Sequence, residues 1–177
     1  MIRLSRPAWR ALVGGLILGL PAGAFFFVRV QVLIVHDVRA DRAILTVQVR
    51  TGERFILSYR HSVTQGIVSG TFAVGSDGSL IASETTFGSP GPGLPVPRPG
   101  EDYEILEGII LYRTDQRLPE LSVFVHPFTE HVLAVQGESL NLSRAVPPGG
   151  LVKIRVERES VLWQWIHKMG AALSRAR

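Results

Sequence analysis

The sequence predicts an all-β fold, a small antiparallel sandwich or barrel, with an N-terminal transmembrane helix and a C-terminal amphipathic helix. The middle of the chain consists of short β-branched and aromatic runs separated by turn residues, a pattern typical of such folds. An uncharged apolar run precedes this part, and a segment with helical periodicity follows it. We therefore expect an anchor or signal segment at 1–29, a β-domain at 30–158 and a helix at 159–177.

The N-terminal run "ALVGGLILGLPAGAFFFV", Ala11 to Val28, contains no charged residue. As a helix it would extend about 27 Å, close to the hydrocarbon thickness of a bilayer. Arginines at positions 3, 6 and 10 precede it, which predicts a cytoplasmic N-terminus and a single-pass protein of the cytoplasmic membrane with its C-terminal domain in the periplasm. The alternative is a signal peptide cleaved near Ala24, which exports the same domain. Phe25 to Val28 continue the apolar run beyond that site and favour a retained anchor.

The β-domain is predicted from nine apolar runs with turn residues such as Thr51-Gly52 and Ser76-Asp77-Gly78 between them. The predicted strands are "VQVLIVHDV", "AILTVQV", "RFILSYRHSV", "IVSGTFAV", "SLIASETTF", "YEILEGIILY", "ELSVFVHPF", "HVLAVQG" and "LVKIRVER". One segment interrupts them. Gly88 to Gly100, "GSPGPGLPVPRPG", has nine Gly or Pro in thirteen residues and cannot form a central strand. It is either a stiff binding edge or a solvated spacer.

The C-terminal segment "ESVLWQWIHKMGAALSRAR" places Leu162, Trp165, Ile166 and Met169 at steps of three and four residues. This periodicity predicts an amphipathic helix. Its apolar stripe lies either on the lipid interface or on the β-domain itself.

Composition and charge exclude several functional classes. The 177-residue chain has no cysteine, which excludes disulfides, thiolate catalysis and thiolate zinc sites. The net charge of +4 resides at the two ends, because residues 29–158 carry 13 Lys and Arg against 14 Asp and Glu. A near-neutral middle lacks the clustered positive field of a nucleic-acid-binding domain, and the predicted partner is a membrane surface.

His61 is the residue whose role the sequence leaves most open. In the predicted strand from Phe55 to Val63, alternation places His61 on an apolar face with Tyr59. Its ring is a structural hydrogen bonder, a ligand or partner site, or a catalytic group. In the structural role its nitrogen atoms pair with a backbone group, with Tyr59, or with a Glu84 that shares a face with apolar neighbours. Ser62 points to the opposite face of a regular strand, which argues against a His–Ser dyad.

No histidine pair has the spacing of a metal-binding motif, so we predict neither a metal site nor another cofactor. A hydrolase remains as an alternative function, with His61, Glu84 and His131 in acid–base or metal-assisted roles.

Three local patterns together resemble a bacterial family, domain of unknown function 1850. They are "YRHSV", "ETTF" leading into "GPGLP", and "EHVLAVQG", in that order between Gly52 and Gly137. The resemblance implies an exported small domain, often encoded beside tripartite ATP-independent periplasmic (TRAP) transporters of the TAXI type. It also implies the ligand- or partner-binding residues, which are Tyr59, His61, Ser62, Val63, Glu84, Gly91, Gly93, Leu94, Pro95 and His131.

The chain departs from this family pattern at two places. Ile67, Ser69 and Gly70 stand where members usually have a proline and one or two glutamates, and Pro92 replaces the usual alanine. The resemblance, together with the apolar N-terminal run, leads us to predict a non-catalytic, membrane-anchored periplasmic accessory protein, whose partner is a TRAP transporter subunit or a solute-binding protein. A small-ligand-binding module is a further alternative and predicts an apolar pocket beside the Gly/Pro loop.

Overall fold

The computed structural model describes residues 29–160, which are almost entirely β-sheet. The all-β prediction is therefore confirmed. The predicted N-terminal anchor and C-terminal helix lie outside these residues, and no helix within 29–160 is long and apolar enough to cross a membrane. Within the described residues, Gln31–Glu157 forms one compact unit.

Eleven strands and one short helix make up the described structure. The strands are β1 Arg29–Asp37, β2 Arg42–Val49, β3 Arg54–Arg60, β4 Ile67–Val74, β5 Leu80–Phe87, β6 Tyr103–Leu106, β7 Ile109–Leu118, β8 Leu121–Val125, β9 Val132–Val135, β10 Glu138–Asn141 and β11 Gly150–Ser160, and the helix is α1 Leu142–Ala145.

The strands form two sheets that share one hydrophobic core. The four-stranded sheet has the order β2-β1-β11-β8, and the seven-stranded sheet has the order β10-β9-β3-β4-β5-β7-β6. Leu33 and Ile154 from the first sheet and Phe55 and Leu133 from the second belong to the same buried cluster. The architecture is therefore a sandwich, the first of the two predicted forms.

A separate part of the seven-stranded sheet is covered by a loop instead of by the second sheet. Val68, Phe87 and Ile110 form a second buried cluster, against which Leu94 packs. Leu94 belongs to the Gly/Pro segment at 88–100, which is therefore packed against the sheet at this residue.

The third strand is shorter than predicted. It ends at Arg60, and the chain then turns through residues 61–66, where the His61 N–H donates to the Gly66 carbonyl at 2.8 Å. Phe55 and Leu57 are in the core and His61 is buried, as alternation predicts, but Val63 is 67% exposed. The expected apolar row thus stops at His61.

A bulge in β5 moves Glu84 away from the apolar face. Ala82 pairs with Phe72, which packs on the core, whereas Glu84 pairs with Thr71, whose side chain is on the opposite face. The register slips again toward β7, where Glu84 pairs with Arg113. The prediction that Glu84 shares a face with apolar neighbours is wrong, because a simple alternation does not include the bulge.

The strands give the Gln31–Glu157 unit two distinct ends. The Gln31 side chain bonds to the Gly75 carbonyl at 2.8 Å and to the Thr51 hydroxyl at 3.0 Å, beside the turns that join β2 to β3 and β4 to β5. From there β3 runs for seven residues, about 20 Å at the usual rise per residue. The turn at 61–66 and the Gly/Pro loop therefore lie at the far end, which we call the loop end.

Candidate functional site

The imidazole of His61 is 5% exposed and both of its nitrogen atoms bond to the backbone. Nδ1 accepts from the N–H groups of Val63 at 3.3 Å and Thr64 at 3.1 Å, and Nε2 lies 3.0 Å from the Pro92 carbonyl oxygen. Because a carbonyl only accepts, Nε2 carries the proton and Nδ1 does not. This single tautomer closes the 61–66 turn and ties it to the Gly/Pro loop.

The Gly/Pro loop meets His61 through a tight turn. The Leu94 N–H donates to the Gly91 carbonyl at 3.0 Å, and Gly93 has a φ of +82°. Proline in the second position and a positive φ in the third define a type II turn. Gly91 lies directly against the imidazole, because a Cβ atom there would be 3.1 Å from His61 Cε1.

A pocket of about 200 Å³ lies between this turn and the inner face of the sheet. The small-ligand-binding alternative predicts an apolar pocket beside the Gly/Pro loop, and this pocket lies there. Its walls are Leu57, Tyr59, Val68, Gly70, Phe72, Thr85, Gly93, Leu94 and Pro95.

The second buried histidine, His131, stacks on Tyr59 with ring centroids 5.2 Å apart. The last pair between β3 and β9 is Ser58 with Val132. Tyr59 and His131 are the next residues along the two strands, so they lie opposite each other. Burial lowers the pKa of His131 and raises the pKa of Tyr59, so both rings are neutral near pH 7.

Thr129 fixes the tautomer of His131. Its hydroxyl donates to the His126 carbonyl at 2.9 Å, so it accepts from His131 Nδ1 at the same distance of 2.9 Å. The His131 Nε2 atom is left with a lone pair, and no hydrogen bond joins it to any residue within 29–160. His131 is therefore a weak base beside an aromatic ring.

The residues proposed for hydrolysis do not converge. His61 bonds to the backbone, Glu84 is on the outer face, and His131 stacks on Tyr59. Ser62 is exposed in the 61–66 turn, and among the described residues its neighbour His61 makes no bond to its hydroxyl. Within residues 29–160, no three His, Asp or Glu side chains are grouped so that they could hold a metal ion.

The outer face of the sheet carries an exposed apolar row at the loop end. Leu106 pairs with Ile109 across the β6–β7 hairpin. Phe87 pairs with Val68 on one side and with Ile110 on the other. The next residue, Gly88, therefore lies between Ile67 and Ile109, and a Cβ atom on Gly88 would be 4.0 Å from Ile109 Cδ1. We call Ile67, Leu106 and Ile109 the aliphatic row; they are 54%, 59% and 47% exposed.

The rest of this outer face is mainly polar. The hydroxyls of Ser58 and Ser69 bond to each other at 3.0 Å, and Arg113 bonds to Glu104 at 2.9 Å and to Asp102 at 3.1 Å. Glu104 belongs to β6, an edge strand of the seven-stranded sheet, and Asp102 directly precedes that strand. The aliphatic row is thus the exposed apolar group of this face at the loop end, while Ile56, 41% exposed, lies on the same face toward the other end of β3.

Sequence reasoning missed most of the pocket and all of the aliphatic row. Gly70, in the middle of a strand pattern, was the available signal for the pocket, because glycine in a strand marks a close approach of another group. Phe72 is that group, 2.9 Å from a Cβ built on Gly70. Glu107-Gly108, with φ of +51° and +81°, was the signal for the β6–β7 hairpin.

The site lies inside a stretch that a known family describes. Residues 55–142 match the model of a family described as domain of unknown function, DUF1850. This segment belongs to the DUF1850 family. It runs from β3 to the start of α1, so the DUF1850 segment contains His61, the Gly/Pro loop, His131 and nearly all of the seven-stranded sheet. No curated protein and no solved structure matches the chain significantly.

Proposed function

We propose that the protein is a non-catalytic accessory protein, anchored in the cytoplasmic membrane with its β-domain in the periplasm, which binds a protein partner through its loop end. The partner we propose is a subunit of a TAXI-type TRAP transporter. The apolar run Ala11 to Val28, with its preceding arginines, supports the location. The resemblance to the DUF1850 family supports the choice of partner.

The observation that carries this proposal is the hydrogen bonding of His61. A general base or a metal ligand needs a free lone pair, and the only lone pair of this ring faces the backbone N–H groups of Val63 and Thr64. The ring instead stiffens two loops. A stiff loop end binds a partner with little loss of conformational entropy, which suits recognition better than chemistry.

The aliphatic row supplies the contact surface in this proposal. Its three side chains are on one face and at one level of the sheet, and Val63 in the adjacent turn is also exposed. The row lies at the end of the β-domain opposite to Gln31, where the chain enters the unit. A group of neighbouring exposed aliphatic side chains is typical of protein contact sites.

The hydrolase alternative has less support, because its three residues are on different faces or are hydrogen-bonded to the backbone. A catalytic constellation needs its groups within hydrogen-bond reach of one substrate.

The test is co-purification of the TRAP membrane subunit with the full chain, carrying Ile109→Ser or the matched control Ile56→Ser. Ile56 is the same residue type on the same outer face and is 41% exposed, but it lies toward the other end of β3. We expect Ile109→Ser to reduce recovery of the subunit by roughly tenfold, as loss of an apolar contact at an interface centre does. Ile56→Ser leaves recovery unchanged. Equal recovery with both folded variants, or no recovery with the unmodified chain, contradicts the proposal.

A further inference from the structure

We propose that the pocket beneath the Gly/Pro loop is a binding site for a small neutral organic molecule with an apolar body and one hydrogen-bonding group. This inference is independent of the partner contact described above, because the pocket is on the inner face of the sheet and the aliphatic row is on the outer face. We call it the loop pocket.

The size of the loop pocket sets the size of its ligand. Its volume is about 200 Å³. An apolar protein cavity of roughly 150 Å³ accepts benzene. The loop pocket therefore accommodates a single ring with one small substituent.

The walls determine the charge of the ligand. Leu57, Val68, Phe72, Leu94 and Pro95 supply apolar surface, and none of the described residues that line the pocket is charged. An ion placed here would lose its hydration without gaining a counter-charge, which is costly. A neutral molecule meets no such penalty.

Two hydroxyl groups supply the polar contact. Tyr59 and Thr85 both line the pocket, and neither hydroxyl bonds to another group within residues 29–160. Burial raises the pKa of Tyr59, so its phenol stays protonated and can donate or accept. A half-buried hydroxyl without a protein partner gains most from a ligand that provides one.

The loop pocket is held open by its own roof. The bond from His61 Nε2 to the Pro92 carbonyl and the type II turn at 91–94 fix the loop, while Leu94 packs on the second buried cluster. Glycines at positions 70 and 93 contribute no side chain that would fill the space. The site is thus preorganised, and binding requires little ordering of the protein.

Cysteine substitution offers a direct test, since the chain contains no cysteine of its own. Thr85→Cys places a thiol in the loop pocket, and Thr86→Cys, the next residue, places one on the outer face as a matched control. The full chain in membranes is labelled with neutral methyl methanethiosulfonate or with its anionic sulfonatoethyl analogue. Mass spectrometry gives the labelling rate, with and without phenol as the probe ligand and benzoate as its charged counterpart.

We expect the Thr85→Cys thiol to prefer the neutral reagent over the anionic one by a larger factor than the Thr86→Cys thiol. Phenol at ten times its dissociation constant slows labelling at position 85 by about tenfold, because only the empty pocket reacts. Benzoate gives no protection, and phenol has no effect at position 86.

The proposal is overturned if the two positions show the same reagent preference, if phenol protects neither or both equally, or if benzoate protects as well as phenol. Leu94→Cys, with the exposed Val96→Cys as its control in the same loop, provides a second pair in case Thr85→Cys does not fold. Loss of transporter binding in Ile109→Ser leaves these results unchanged, so the two proposals can fail separately.

Discussion

At the scale of single residues, His61 connects two loops through three hydrogen bonds. Its Nδ1 atom accepts hydrogen bonds from the N–H groups two and three residues ahead in the 61–66 turn. A carboxylate or amide oxygen has the same role in an Asx turn. Its Nε2 atom reaches a second segment, 31 residues away in sequence. An asparagine could accept the hydrogen bonds of the 61–66 turn, but it could not also donate to the Pro92 carbonyl.

That difference leads to a prediction for stability. His61→Asn keeps an acceptor for the turn and loses the bond to Pro92, whereas His61→Ala loses both and leaves a cavity. We expect about 1–2 kcal/mol of lost unfolding free energy for the asparagine and roughly 3–4 kcal/mol for the alanine. Denaturant titrations of both variants measure it. Equal losses would contradict the assignment of separate functions to the two nitrogen atoms.

His131 makes stability depend on pH. Burial lowers its pKa in the folded state relative to the unfolded value near 6.5, so the unfolded chain binds the proton more readily. Stability from this group is complete above about pH 6.5 and is lost as the pH falls, with a slope of at most about 1.4 kcal/mol per pH unit. His131→Phe, which retains a ring against Tyr59, is expected to show a shallower loss between about pH 7 and 5. Identical pH profiles for the two proteins would exclude His131 as the cause.

At the scale of elements, the 91–94 turn contains two glycines that are needed for different reasons. Gly93 has a positive φ and open space around its Cβ position, whereas Gly91 lies against the His61 ring. We expect Gly93→Ala to cost about 1–2 kcal/mol through backbone strain. Gly91→Ala is expected to cost about 1–3 kcal/mol through overpacking.

A double-mutant cycle separates the two causes. When His61→Ala removes the ring, the cost of Gly91→Ala falls, while the cost of Gly93→Ala stays the same. Denaturation of the three single and two double variants, beside the unmodified chain, gives both coupling energies. A cost of Gly91→Ala that does not depend on His61 would show that the two residues do not touch in solution.

The sequence predicts those features of the strands that depend on residues close together in the chain, and it does not predict those that depend on pairing with other strands. Alternation and turn residues were enough for the all-β class and for the inward side of Phe55, Leu57 and His61. The bulge that moves Glu84 arises from pairing with two neighbouring strands, which a single sequence does not reveal. The sequence predicts one strand for "YEILEGIILY", but this segment is a hairpin, because Glu107 and Gly108 form a turn with two positive φ angles.

At the scale of the whole described domain, the two ends of the sandwich differ in character. One end carries the turns near Gln31, and the other collects the 61–66 turn, the Gly/Pro loop and the aliphatic row. The DUF1850 match covers nearly all of the seven-stranded sheet but, of the four-stranded sheet, only β8. The loop pocket and the aliphatic row thus lie within the segment that matches the family. Both depend on pairing between strands that are distant in sequence, which sequence patterns do not show.

His61 is a structural ring whose two nitrogen atoms both form hydrogen bonds to the backbone. Long-range ¹H–¹⁵N spectra of the full chain, labelled at histidine, report the proton position on each ring directly. We predict a single neutral tautomer for His61 near pH 7.5, with the proton on Nε2 and none on Nδ1. A proton on Nδ1, or exchange between the two tautomers, would mean that the ring is free to do chemistry and would contradict the account.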